Sequence, residues 1–473
     1  MKLYNTLSRT IEEVQPITKM HIGMYACGPT VYDYAHIGHM RKYTMDDVLV
    51  RTLKHAGFSV EHVMNITDVG HLVSDSDEGE DKMEKGAKKY GKTVWDVAKE
   101  FEEFFWKCID AMDVARPDVS CKATAHIPEQ IEMIKRLEKH NLTYVIDDGV
   151  YFDTEKFPSY GELAKLDKES IKAGARVEMV AGKKNATDFA LWKFSPKNEQ
   201  RAMEWGSPWG KGFPGWHIEC SAMAIRYLGE QFDIHTGGID HIPIHHTNEI
   251  AQAEGATGKH PFVRTWVHHN FLRVENEKMS KSLGNFFTLD DVTAKGFSPM
   301  ALKLLFLGSH YRSELNFTWA NLEASQKAYD KLVGILTQAK KETERTTLSQ
   351  EKVKKLNDYR TRFFSQMEND LHTPEATSLL WEVAKSNIPG GDKYDLLIEF
   401  DSVLGLGLAK ASTLSGSPST HEIPSGVQML LDKRQAARDS KDFVASDTLR
   451  DAIAKLGWSV KDTSEGQKVK KNS

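Results

Sequence analysis

Cysteine is scarce in this chain, with four in 473 residues. That count excludes a disulfide-stapled scaffold. No apolar stretch approaches the roughly 20 residues that a membrane-spanning helix needs. The opening residues, MKLYNTLSRTIEEVQPITKM, lack the apolar run of a secretory signal. There is no excess of positive charge either. Lys and Arg number 62 against 67 Asp and Glu, a net charge of -5. A nucleic-acid surface would have to be a local patch on a mildly acidic average. No internal repeat is present. These absences predict a globular protein with no membrane association, in a reducing cytoplasmic setting. The length is too great for a single core and predicts about three or four domains. A hydrophobic content of 40% is enough to fill them.

What is present begins as an α/β pattern. KMHIGMYACG reads as a strand, and MRKYTMDDVLVRTLKHAGF as a helix stopping at Gly57. SVEHVMNITD reads as the next strand. This β-α-β order predicts a parallel sheet with a ligand crevice at its strand ends. Residues 74–92, SDSDEGEDKMEKGAKKYGK, read as a charged mobile loop, and residues 92–113 and 126–141 as helices. From about Thr143 to Phe194, turn residues and short β runs mark an insertion, after which the α/β pattern resumes near Gly215. Residues 316–411 are helical in period. ASTLSGSPSTHEIPSG is a linker by composition, a charged helical stretch follows from Val427, and EGQKVKKNS reads as a disordered tail.

Two short motifs carry chemistry. In AHIGHM, His36 and His39 flank Gly38 between a strand and a helix. Free N–H groups and the dipole of a helix N-terminus favour a phosphate there, and two imidazoles would add donors. Gly38 would let a flat base approach the backbone. In ENEKMSKSLGN, Lys278 and Lys281 sit on a small-residue loop able to close over a polyphosphate and offset its developing charge. Each motif alone has a bland reading as a surface turn. Together, in this order, they resemble the signatures of class I aminoacyl-tRNA synthetases.

The soft metal ligands point the same way. Cys27 precedes the first motif, GWHIECSAM supplies Cys220, and HHTNEIAQ supplies His245, His246 and Glu249. His245 and Glu249, four apart, share one face of a helix. With Cys27 and Cys220 they make a set of two thiolates, one imidazole and one carboxylate suited to zinc. The spacing is not that of a zinc finger, and taken singly either cysteine is an ordinary buried hydrophobe.

YACGPTVYDYAHIGHMR, NITDVGH, GWHIECSAM, IHTGGIDH, HHTNEIAQ, KMSKSLGN and LGSHYRSELNFT together resemble the cysteinyl-tRNA synthetase family over nearly the whole chain. The resemblance implies activation of L-cysteine by ATP, with its Mg2+, to cysteinyl-adenylate, then transfer to the terminal adenosine of the cysteine-accepting tRNA. It implies one zinc ion per chain on Cys27, Cys220, His245 and Glu249, binding the substrate thiolate. It further implies that His36, Gly38, His39, Lys278 and Lys281 serve ATP and catalysis. Thr67, Trp216, His217 and Asp240 are implied in the cysteine pocket, although Trp216 also reads as core and Asp240 as a helix cap. Arg438, Phe443, Asp447 and Arg450 are implied at the anticodon, where the alternative is a solvated helix pair.

The expected architecture is α/β. Residues 1–142 and 206–285 form a Rossmann-type catalytic domain, with a connective insertion at 143–205. A stem-contact region at 286–315 precedes a helical tRNA-binding bundle at 316–411. A linker at 412–426 leads to a small anticodon-binding domain at 427–473. A monomer is expected. Ile244, Thr247, His241 and Phe443 depart from the family pattern, as does the KVKK tail. The competing readings are a ligase joining cysteine to an amino-sugar amine, which should lack the C-terminal match, and a non-catalytic paralogue, which should lose His39 or Lys281.

Overall fold

Five strands, His21–Ala26, Ser59–Ile66, Val119–Lys122, Phe232–Gly238 and Val263–His269, pair in parallel into one sheet. Their spatial order is 263–269, 232–238, 21–26, 59–66, 119–122. The chain therefore starts in the middle, winds to one edge, then returns to the other side. The winding reverses between strands 21–26 and 232–238, and a crevice opens beyond the carboxyl ends of strands at such a switch point. Residues 22–26 and 232–237 are buried, as in a parallel sheet covered on both faces. This computed structural model describes residues 1–70, 82–165, 181–196, 201–280, 283–342, 347–414, 425–440, 442–463 and 466–471. It divides into two units, 1–409 and 410–473.

The first β-α-β unit contains the helix Ile37–His55, closed by Ala56 and by Gly57 at a φ of 92°. A residue with a Cβ would be strained there. The stretch 74–92 is not simply a loop. Lys82–Tyr90 is a helix, and residues 71–81 lie outside the described residues. Met83 and Gly86 are buried, and Tyr90 meets Phe101 edge-on at 5.7 Å. These three anchors at helical spacing hold an otherwise charged segment onto the helix Val94–Ala111.

Between the third and fourth strands of the parallel sheet, a second sheet forms from Thr143–Ile146, Gly149–Phe152, Phe189–Phe194, Trp205–Ser207 and Gly210–Pro214. All its pairings are antiparallel. It extends to Pro214, past the boundary at 205, because the last hairpin continues the same pairing. Later in the first unit, the helices Trp319–Lys341, Gln350–Met367, Thr373–Lys385 and Gly390–Leu404 follow one another, with Phe363 stacked on Phe400 at 3.8 Å.

The unit 410–473 has its own small core of Val427, Leu431, Ile453 and Trp458. Its helices Ser425–Asp439 and Phe443–Lys455 are followed by the antiparallel hairpin Trp458–Thr463 and Gly466–Lys471. The expected disordered tail is thus a strand over 466–471. Val469 pairs opposite Val460, and both pack against that core.

Candidate active site

The strand 21–26 delivers Cys27 to the switch point. The Cys27 N–H donates to the Thr236 carbonyl at 3.1 Å and ties the two diverging strands together. Gly28 then turns the chain, its N–H donating to Asn65 Oδ1 at 2.8 Å. A Cβ at Gly28 would fall 1.5 Å from the Asn65 carbonyl oxygen, so no side chain fits. Cys220 comes from the first turn of the helix Ile218–Leu228. His245 and Glu249 come from one face of the helix His245–Thr257. The donor atoms of Cys27, Cys220, His245 and Glu249 all lie within 4.8 Å of one another. The four residues predicted to hold a metal are therefore brought together from three distant segments.

Their electrostatics fit a cation. His245 Nε2 is 2.8 Å from Glu249 Oε1, and His245 Nδ1 is 2.8 Å from His217 Nδ1. The other oxygen of Glu249 is 2.9 Å from His235 Nε2. Burial alone would raise the Glu249 carboxyl, but His235 and His245 overcome it and hold the group well below the usual carboxylate range. Burial alone would lower His245, but Glu249 and Cys220 push it up to about 10. The Cys220 thiol is raised first by its contact with Cys27 and then by burial. Burial raises Cys27. A divalent ion bound by these donors would displace the protons they carry. Two sulfurs, one nitrogen and one oxygen suit zinc.

The floor of the crevice holds more histidine than the motifs suggested. His246 Nε2 is 3.3 Å from Cys27 Sγ, and its Nδ1 is 2.7 Å from His268 Nε2. His268 Nδ1 is in turn 2.7 Å from Thr6 Oγ1. Two further groups, Cys27–His241–His245–His246 and Cys27–His235–His246–Glu249, also bring their donor atoms within 4.8 Å. His235 and His268 lie inside buried strands, where histidine reads as core. Only the strand pairing, which sets Gly237 beside His268, carries them to one crevice.

Of the residues expected in the cysteine pocket, Trp216 and His217 lie against His245. Thr67 is buried and braces the turn after Cys27, its N–H donating to the Pro29 carbonyl at 3.0 Å and its carbonyl accepting from Val31 N–H at 3.1 Å. Trp216 is half-buried, its ring 6.0 Å from that of His217 and 6.2 Å from that of His245. It covers the imidazoles and does not fill the core. His217 touches His245 directly and so fixes the orientation of that imidazole. Asp240 is exposed in the turn Ile239–His241 and does not cap the next helix, whose N-terminal residue is preceded by Ile244.

His36 caps the helix 37–55. Its Nδ1 accepts from the N–H groups of Gly38 and His39 at 3.1 and 3.3 Å, while His39 Nδ1 accepts from His36 N–H at 3.2 Å. The two rings stack at 3.6 Å. The N–H groups expected to await a phosphate are therefore engaged by His36 itself, and the turn presents stacked imidazoles instead. Ile37 N–H donates to the Phe287 carbonyl at 2.9 Å, which joins this turn to the chain just past the lysine loop. Lys278 is exposed on the short strand Glu277–Lys278. Asn285 closes the loop, accepting from Ser280 N–H at 2.7 Å and donating to the Lys278 carbonyl at 3.1 Å. Met279 reaches toward Gly38, its methyl 3.7 Å from where a Cβ would stand. Lys281 lies outside the described residues.

Residues 13–327 match the family model of the class I (C) tRNA synthetase catalytic domain, and residues 420–469 match that of the cysteinyl-tRNA ligase anticodon binding domain. The chain belongs to the cysteinyl-tRNA ligase family. It is 45% identical to cysteine–tRNA ligase 1 of Burkholderia lata over 474 residues, covering 99% of this chain and 96% of that protein. It is 44% identical to the cysteine–tRNA ligase of Treponema denticola over 484 residues, covering 98% of each. The fold is shared more widely. A leucyl-tRNA synthetase from Agrobacterium radiobacter K84, solved with tRNA and LeuAMS, superposes with a TM-score of 0.62 at 11% identity, covering 84% of this chain and 86% of that one. Methionyl-tRNA synthetase of Mycobacterium tuberculosis, solved with methionyl-adenylate, gives 0.55 at 14% identity, covering 90% and 96%.

Within the unit that carries the ligase-family anticodon domain, Phe443 is 60% exposed at the start of its helix. Arg438 lies 3.2 Å from Asp462, and Arg450 3.4 Å from Asp447. Arg434 is buried and grips Asp462 through two N–H groups at 2.9 Å each. That contact, aided by Arg438 and Arg450, holds the Asp462 carboxyl below its ordinary range. Among the described residues no helix is long and apolar enough to cross a membrane.

Proposed function

We propose that this chain is a cysteine–tRNA ligase that selects its amino acid with a zinc ion on Cys27, Cys220, His245 and Glu249. The observation that carries the reading is the convergence of these four donors at the same switch point as the His36–His39 turn. ATP, with its Mg2+, binds between that turn and the loop of Lys278 and Lys281. In the first step a carboxylate oxygen of cysteine forms a bond to the α-phosphorus. The bond from that phosphorus to the pyrophosphate breaks, and its electron pair leaves with pyrophosphate. The carboxylate is already ionised, so this step needs placement and charge stabilisation more than a base. The rings of His36 and His39 and the ammonium groups of Lys278 and Lys281 supply these.

An apolar pocket separates near-isosteres such as cysteine and serine by only roughly 10- to 200-fold. A bound zinc ion favours a soft thiolate far over an alcohol and lowers the thiol's pKa. Thr67, Trp216, His217 and Asp240 shape the pocket around it. The cysteinyl group then passes to the terminal adenosine of the cysteine tRNA, whose anticodon meets Arg438, Phe443, Asp447 and Arg450. An exposed aromatic ring and arginines suit unstacked bases. A ligase for an amino-sugar acceptor would share the floor but would have no use for the anticodon-domain match. The working form is a cytoplasmic monomer.

Cys220→Ser tests the zinc role. It should lower bound zinc and weaken cysteine binding far more than ATP binding. Equal losses for both ligands would contradict a substrate-selecting metal.

A further inference from the structure

Lys42 belongs to none of the roles assigned above. It lies one helical turn past His39, and its ammonium is 2.6 Å from the carbonyl oxygen of Cys27 and 2.7 Å from Asp46 Oδ2. The other Asp46 oxygen is 2.8 Å from His269 Nε2, at the end of the strand 263–269. The Asp46 side chain is 2% exposed and that of Lys42 12%. The carboxylate is thus the more deeply buried end and is tied to His269, while the ammonium also meets the Cys27 carbonyl at the switch point. A buried ion pair is a poor device for stability alone, because desolvation offsets the attraction. An ammonium fixed at a switch point calls for a ligand. The Cys27 carbonyl accepts a hydrogen bond from this ammonium, and Asp46 Oδ2 lies at ion-pair distance.

Cys27 serves as a ruler. Its sulfur belongs to the floor, and its carbonyl oxygen meets Lys42. A substrate cysteine whose sulfur joins the same floor carries its carboxylate at the same covalent remove from that sulfur. We propose that Lys42 is a substrate-binding residue, whose ammonium holds the α-carboxylate of the incoming cysteine for attack on ATP. This assignment rests on the metal-floor reading. Its ammonium offsets the carboxylate charge while the floor residues hold the thiol end.

The test compares L-cysteine with cysteamine, which keeps the thiol and amine but lacks the carboxylate. Both are titrated calorimetrically into the zinc-loaded full chain and its Lys42→Met variant. ATP affinity and zinc content are measured alongside. The expected result is a weakening of L-cysteine by about 10- to 100-fold, the loss of one charge-assisted hydrogen bond. Cysteamine, ATP and zinc should be unchanged. Equal weakening of both thiols would overturn the proposal and reduce Lys42 to a brace for Cys27. Weakening of ATP alone would overturn it in favour of the α-phosphate, the other oxyanion at the site. Wild-type protein that binds neither thiol would overturn the floor reading, and this one with it. Should Lys42→Met not fold, Lys42→Gln, which can still donate to the Cys27 carbonyl, reads out the same difference.

Discussion

The floor proposed to hold zinc and the C-terminal unit are built in opposite ways. At the floor, Cys27, Cys220 and Glu249 are buried, and the neighbouring imidazoles are held by one another and by Glu249 at 2.7 to 2.9 Å. In residues 410–473, Phe443 stands 60% exposed, and Arg450 makes a surface pair with Asp447. Pairs of that kind contribute about 0–1 kcal/mol. A small amino acid offers few atoms, so selection among close analogues falls to desolvated, preorganised donors. A nucleic acid offers many bases and phosphates, and an open surface with separate contacts can read it.

Two substitutions sharpen this contrast. Lys278→Ala removes a charge from the nucleotide side of the crevice. It should slow ATP–pyrophosphate exchange about 100-fold, as loss of one charge-stabilising donor does, with cysteine affinity unchanged in a binding titration. An unchanged exchange rate would take the loop out of the chemistry. Phe443→Ala should act on the other unit alone. It should weaken tRNA binding about 10-fold, within the range for one base-stacking side chain, and leave exchange as it was. A fall in exchange would show that the two regions do not divide the labour in this way.

The same contrast explains what could be read from the chain. The AHIGHM and KMSKS stretches are local, and so are the four-residue step from His245 to Glu249 and the α/β alternation. Each is legible without knowing the fold. His235 and His268 were not, because only the pairing of two distant strands sets them in one crevice. The capping role of His36 was missed because Ser, Thr, Asp and Asn are the usual caps, so its Nδ1 was not expected to take the very N–H groups proposed for phosphate. The helix 82–90 hides three anchors among charges, and the strand 466–471 rests on Val469 in a polar run. In both, tertiary packing overrides a composition that reads as loop or tail.

The most direct measurement is ATP–pyrophosphate exchange with each standard amino acid in turn, on protein assayed for zinc. The account predicts exchange with cysteine alone, at about one zinc per chain, as a single zinc site requires. Exchange with serine at a comparable rate, or none with cysteine despite bound zinc, would contradict it.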